Sequence, residues 1–352
     1  MTRGTRIARR SVLAGAVAAP ALLRSGRGEA QEVTLRLHHF LGPVSNVHRN
    51  FLMPWAQKIQ SESGGRLRVQ IFPAMQLGGA PPQLYDQARD GVVDIVWTLP
   101  GNTPGRFPRI EVFELPFVPH RLSYVNALAV QRLFERRLRE EFGETHILCA
   151  WGHDHGVIHS RRPVRTMEDL RGLKLRFPTR QSGEALRALG ASPAGMPIPQ
   201  VPEALSQGVI DGAVVPWEVV PAIRLHEMVR HHTEIPGSPT LYIATFVLAM
   251  NRARYESLPG ELRAVLDRNS GEAAAEMASK VWDEQGPVVV DQVRRRGNEI
   301  LTISEEERNR WQRATEPVIE AWIRSMRERN IDGGALLEEA RAVIAELGRG
   351  RA

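Results

Sequence analysis

The sequence predicts an α/β protein of two similar lobes followed by a helical C-terminal third. Three observations carry this expectation. Residues 33–101 alternate strand, helix, strand, helix, strand. A second unit at 172–217 repeats that order, and "QGVIDGAV" (207–214) echoes "DGVVDIVW" (90–97). From Pro259 onward the periodicity becomes helical. An alternating βα pattern of this kind specifies sheets covered by helices.

The elements follow from local chemistry. "VTLRLHHF" (33–40) alternates apolar and polar residues, the period-2 signature of a strand. Phe51, Trp55 and Ile59 are spaced by four and mark a helix over about 46–63. "RLRVQIFP" (66–73) and "VDIVWTLPG" (93–101) read as strands, with a helix at 81–91 between them. Gly91 lies where that helix needs a left-handed cap. In the second unit, "GLKLRFP" (172–178) is a strand stopped by Pro178. Thr179 to Ser182 then open a helix over about 180–190. A further helix spans 201–208, and "VIDGAVVPW" (209–217) returns as a strand. "THILCAW" reads as a buried strand holding Cys149, the sole cysteine, as a small core residue. Helices are expected over 259–296, with a kink or break at Gly286-Pro287, over 304–330 behind a Ser304 cap, and over 335–347.

The chain has 352 residues, 42% apolar and 24% charged, as in ordinary globular proteins. Its net charge of +6 sits almost wholly in residues 1–30, which carry six arginines against one glutamate. The near-neutral remainder gives no footprint for nucleic acid or an anionic membrane. "MTRGTRIARR", the apolar run 11–23 and small residues ending at Ala30 have the layout of an export signal, cleaved after Ala30. Arg9-Arg10 followed by "SVL" is the twin-arginine form, which sends a folded protein to the periplasm. The run of 13 residues is too short to span a bilayer, so the mature chain is not expected to insert into one.

Six stretches in order carry a resemblance: "IFPAMQLGG" (71–79), "ARDGVVDIVW" (88–97), "PRIEVFELPFV" (108–118), "MEDLRGLKLRFP" (167–178), "LGASPAGMPIPQVPEALSQGVIDGAVVPW" (189–217) and "LAMNRARYESLP" (248–259). Together they resemble the substrate-binding subunits of tripartite ATP-independent periplasmic (TRAP) transporters, the DctP-like family. The resemblance implies a two-lobed periplasmic binding protein fold with long C-terminal helices bracing both lobes. It places lobe I at 31–153 plus 241–280 and lobe II at 154–240 plus 281–352. It implies a receptor, not an enzyme, that captures an organic acid and delivers it to a small and a large membrane subunit. No cofactor and no metal are implied.

Arg176 ends the 172–178 strand, where α/β proteins present ligand groups. A guanidinium is a planar fork matched to a carboxylate, and the family places its carboxylate-gripping arginine here. The resemblance also nominates Thr179, Trp97, Leu99, Asn102, Ile198, Val215 and Trp217 as ligand contacts. His39, at the end of the first strand, and His155 are candidates from position. Sialic-acid binders of the family carry a second arginine where this chain has Gly156. With that arginine missing and Leu99, Ile198, Val215 and Trp217 apolar, the expected ligand is a monocarboxylate with an apolar or aromatic body, a 2-oxo or 2-hydroxy acid. The alternative ligand is a C4-dicarboxylate or a sugar acid.

Two other classes compete. A binding protein of an ATP-driven importer shares the lobed logic but lacks the long helical C-terminal third. His153, His155 and His159 with Asp154 suggest a metal-dependent periplasmic enzyme. On a single strand, however, the outer pair would lie about 20 Å apart at ~3.3 Å per residue, so at most two could hold one ion.

Overall fold

The computed structural model describes residues 32–351. The predicted export signal and its cleavage point lie outside the described residues. Eleven strands form two mixed sheets. They are β1 (Val33–His39), β2 (Leu67–Phe72), β3 (Ile95–Thr98), β4 (Thr145–Gly152), β5 (Val157–Ser160) and β6 (Lys174–Phe177). Then come β7 (Ser192–Gly195), β8 (Gly212–Val215), β9 (His231–Glu234), β10 (Thr245–Asn251) and β11 (Glu299–Thr302).

The first sheet has the order β2-β1-β3-β10-β4 and the second β11-β9-β5-β8-β6-β7. In the first, β1 runs parallel to β2 and β3, and β10 returns antiparallel between β3 and β4. In the second, β6 is parallel to β7 and β8, and β5 is antiparallel to β8 and β9. The chain therefore leaves the first sheet after β4 through only 153–156, and comes back after β9 through 235–244. Both crossings pass beside the same space, which is where ligands sit in open α/β sheets.

Helices α1 (Met53–Glu62), α2 (Leu84–Arg89), α3 (Ser123–Leu133), α4 (Arg180–Ala188), α5 (Val201–Ser206) and α6 (Leu225–Met228) cover the sheets, and α7 (Arg252–Glu256) follows β10. A π-helical turn, Val47–Leu52, leads into α1. Local rules explain the ends. Gly91 takes φ +72° past α2 and Gly208 φ +71° past α5, a conformation other residues reach only with strain. Thr179 caps α4, its N–H donating to Ser182 Oγ at 3.2 Å. Ser304 Oγ accepts from Glu307 N–H at 3.1 Å at the head of α10 (Glu305–Arg327).

The expected break at Gly286-Pro287 does not occur. The helical stretch divides instead at Asn269–Ser270, giving α8 (Gly260–Arg268) and a continuous α9 (Gly271–Arg295). A proline inside a helix costs about 3 kcal/mol. Val289 and Val293 in the turns after it are buried, each worth about 1.5–3 kcal/mol. Their burial offsets the cost and carries the helix past Pro287. Helix α9 packs on α3, on β4 and on the turn at 217–219, so it touches elements of both sheets. Helix α10 packs against α4, and α11 (Gly333–Gly348) lies on α3. Among the described residues no helix is long and apolar enough to cross a membrane.

Candidate ligand-binding site

Arg176 shares a face of β6 with Lys174, yet Lys174 is exposed and Arg176 is 3% exposed. The opposite face carries Leu173 and Leu175 into the core of the second sheet. Arg176 Nε donates to Met196 O at 2.9 Å and Nη1 to Val214 O at 3.3 Å. No carboxylate pairs with it among the described residues. Burial accordingly pulls its pKa down to about 10. A buried guanidinium without a counter-charge costs several kcal/mol unless a ligand anion supplies one.

Arg176 faces a cavity between the two sheets. Phe40, Trp97 and Phe246 form one wall, with ring centroids 4.7 Å apart for Phe40–Trp97 and 5.8 Å for Trp97–Phe246. Leu99, Ile198, Val214, Val215 and Val219 supply aliphatic surface. Arg176 is the only Arg or Lys in the lining and Glu218 the only acid. His153 also lines the cavity but brings no charge. Its Nε2 accepts from Ala244 N–H at 2.8 Å, its Nδ1–H donates to Asp154 O, and burial holds its pKa down at about 3. Trp97 Nε1–H and the Tyr242 hydroxyl are buried without hydrogen-bond partners. Buried donors of this kind await an acceptor.

Of the residues nominated from sequence, Arg176, Trp97, Leu99, Asn102, Ile198 and Val215 line the cavity. Thr179, His39, His155 and Trp217 are not in its lining. Thr179 sits at the head of α4 with its hydroxyl 3.2 Å from Ser182 Oγ. His39 lies one layer back, bonded through Nε2 to His48 Nδ1 at 2.9 Å, with its ring 5.4 Å from Trp97. Trp217 turns away and donates to Glu234 Oε1 at 2.8 Å. His155 sits in that neighbouring depression, 3.6 Å from Asp154 and 3.7 Å from Glu234. The resemblance nominated Thr179 and Trp217, and position nominated His39 and His155; packing decides which side of the sheet each one serves.

The histidine cluster is likewise dispersed. Residues 153–156 form the crossing between sheets rather than a strand. His159 Nε2–H donates to Val215 O at 3.2 Å, which leaves Nδ1 to accept from His232 Nδ1–H at 2.6 Å. His232 Nε2 then accepts from Asn298 at 2.9 Å. Burial lowers the pKa of both rings, so the chain of bonds is neutral. No group of three or more metal-ligating side chains converges among the described residues.

Sequence reading missed Phe40, Tyr242, Phe246 and Glu218. Tyr242 belongs to the irregular return segment 235–244, which has no periodicity to betray it. Its place depends on Gly156: a Cβ there would stand 1.9 Å from Tyr242 Cε1 and 2.2 Å from Cζ. The tyrosine ring fills the space beside the position that carries an arginine in sialic-acid binders. A side chain at position 156 would have to displace this ring.

Comparisons with known proteins agree with this architecture. Residues 37–325 match the family "Bacterial extracellular solute-binding protein, family 7". A TRAP solute-binding protein from Rhodoferax ferrireducens T118, solved with copurified benzoate, is 45% identical with a TM-score of 0.88, covering 91% of this chain and 100% of that one. A TRAP solute-binding protein from an unidentified marine-metagenome microbe, described as specific for aromatic acids and solved with 3-hydroxybenzoate, is 42% identical with a TM-score of 0.88, over 90% and 99% of the two chains. One from Bordetella bronchiseptica with bound (R)- and (S)-mandelate is 29% identical with a TM-score of 0.83, over 90% and 99%. The family and these relatives are receptors rather than enzymes. With a family match across most of its length and a two-sheet fold shared with solved receptors, this chain belongs to bacterial extracellular solute-binding protein family 7 and is a TRAP-type solute receptor.

Proposed function

We propose that this receptor captures aromatic monocarboxylates and hands them to the small and large membrane subunits of a TRAP transporter. The observation that carries this reading is the buried, unpaired Arg176 at one end of a cavity walled by aromatic and aliphatic side chains. The ligand carboxylate takes the guanidinium fork, with the free Tyr242 hydroxyl as a further donor. The ring packs among Phe40, Trp97, Phe246 and the valines. Burying a phenyl group of roughly 150 Å² contributes about 4 kcal/mol at ~25 cal/mol per Å². Micromolar affinity needs about −8 kcal/mol, which ring and clamp together reach before ordering costs. The relatives solved with benzoate, 3-hydroxybenzoate and mandelate support this class, including 2-hydroxy acids.

A dicarboxylate or sugar acid fits less well. Its far end would meet valines and Glu218, with no second cation to receive a charge. In a thermal-shift panel, benzoate, mandelate and phenyllactate should raise the melting temperature, while malate, succinate and galacturonate should not. Stabilisation by the second group alone would overturn the aromatic reading and leave the receptor assignment standing.

Binding on this reading closes the two sheets onto the ligand. Asn46 beside β1 donates to Glu218 O after β8 at 2.9 Å, and Gln181 of α4 donates to Glu111 at 2.6 Å. Gly101, after β3, lies so close to Thr179 that a Cβ would come within 2.7 Å of its methyl. Gly101→Val should therefore oppose closure. The expected result is about tenfold weaker binding, from an overpacking cost of ~1–3 kcal/mol confined to the closed form. Small-angle scattering should show wild type shrinking on ligand addition and the variant shrinking less. Identical affinity and identical compaction in the two proteins would argue against a hinge at this contact.

A further inference from the structure

We propose that Glu218 is a specificity-determining residue of the cavity and reads a hydroxyl group that the ligand's ring carries away from its carboxylate. The inference rests on the aromatic-acid reading above and refines it. Glu218 stands on a single 3-10 turn, Trp217–Val219, directly after Pro216. Its backbone is fixed from across the cavity, since the Asn46 amide donates to its carbonyl at 2.9 Å. Its side chain is 3% exposed and lines the cavity, and Oε2 is buried with no hydrogen-bond partner.

A carboxyl buried for purely structural reasons would be paired, because an unsatisfied buried polar atom costs about 1–3 kcal/mol. Glu218 has no cation beside it among the described residues. Burial pushes its pKa up to about 8, so at neutral pH it is mostly the uncharged acid. In that form it offers one O–H donor and one carbonyl acceptor. Arg176 reaches from β6 to the Met196 and Val214 carbonyls, whereas Glu218 stands on the turn after β8 beside Asn46, and on this proposal the two mark separate poles of the cavity. The Asn46 side chain also lies within hydrogen-bonding reach of the Glu218 carboxyl, yet Oε2 has no partner, and the adjacent Val215 and Val219 side chains have no polar atom to offer it.

A ligand hydroxyl satisfies both functions of a neutral carboxyl, accepting from its O–H and donating to its carbonyl. A second ligand carboxylate would instead bring an uncompensated charge to a pole without a cation. The ligand that completes both poles is a hydroxylated aromatic acid whose hydroxyl is remote from the carboxylate. Benzoate itself leaves the Glu218 pole unsatisfied.

The test is calorimetry at pH 7 with benzoate, 3-hydroxybenzoate and 4-hydroxybenzoate on the full mature chain as wild type, Glu218→Gln and Glu218→Leu. Wild type should bind the better hydroxybenzoate about tenfold more tightly than benzoate, the worth of one good hydrogen bond. Glu218→Gln, whose amide also donates and accepts, should keep most of that ratio. Glu218→Leu should bring it to about one. A ratio near one in wild type, or an undiminished ratio in Glu218→Leu, overturns the assignment while benzoate binding leaves the aromatic reading intact. If Glu218→Leu does not fold, Glu218→Ala takes its place, a ratio falling to about one counting for the assignment and an undiminished ratio against it. Failure of wild type to bind any of the three acids overturns the aromatic reading and this proposal together.

Discussion

Replacing Arg176 by methionine is expected to weaken binding of an aromatic carboxylate by at least about a hundredfold. A charge-assisted hydrogen bond contributes ~1.5–3 kcal/mol and the guanidinium fork makes two, while every 1.4 kcal/mol is tenfold in affinity. Arg176→Lys keeps the charge but loses the fork, and should still cost about tenfold. The melting temperature separates this role from a structural one. Arg176 bonds only to the Met196 and Val214 carbonyls and has no counter-ion among the described residues. Methionine removes two hydrogen bonds worth about 1 kcal/mol each, but also a buried unpaired cation costing several. Ligand-free Arg176→Met should therefore melt no lower than wild type. A variant that melts lower yet binds within threefold of wild type would make Arg176 a structural residue.

Gly156→Ala should be strongly damaging for so small a change. The added methyl would overlap the Tyr242 ring at 1.9 Å, and Tyr242 cannot retreat without leaving its edge-on contact with His153, 5.8 Å between centroids. Overpacking of this kind costs about 1–3 kcal/mol, occasionally more. Differential scanning calorimetry should show a lower melting temperature and titration a loss of affinity, because the displaced ring carries the hydroxyl beside Arg176. Adding Tyr242→Val should restore stability by removing the clash, yet leave binding weak. If the double variant instead regains affinity along with stability, Tyr242 has no part in the site. Such non-additivity is the signature of two residues that share one space.

The contrast between these two residues shows what was legible in the sequence. Arg176 announced itself through local pattern: a period-2 strand, a proline stop, a capped helix. The same local chemistry placed β1 to β4, β6 and β8, the left-handed turn at Gly91, and the Ser304 cap, but not the short strands β5, β7, β9 and β11 or the returning β10. These features are set by residues within a few positions of each other, so reading along the chain recovers them. Trp97, Leu99, Asn102, Ile198 and Val215, which the family resemblance nominated, lie at or just after strand ends and line the cavity.

Everything that depended on distant segments meeting was decided by tertiary structure. Tyr242 reaches the cavity only because the return crossing 235–244 packs on Gly156 of the outward crossing. His39 and Trp217 were misplaced because a strand end offers two faces, and their partners His48 and Glu234 come from other elements. Helix α9 ignored Pro287 because burial outweighed intrinsic propensity. The amino-acid sequence by itself determined the alternating elements and pointed to the arginine that lines the cavity. Only the fold decided which polar groups were left unpaired around it, because pairing is a property of contacts between segments far apart in the chain.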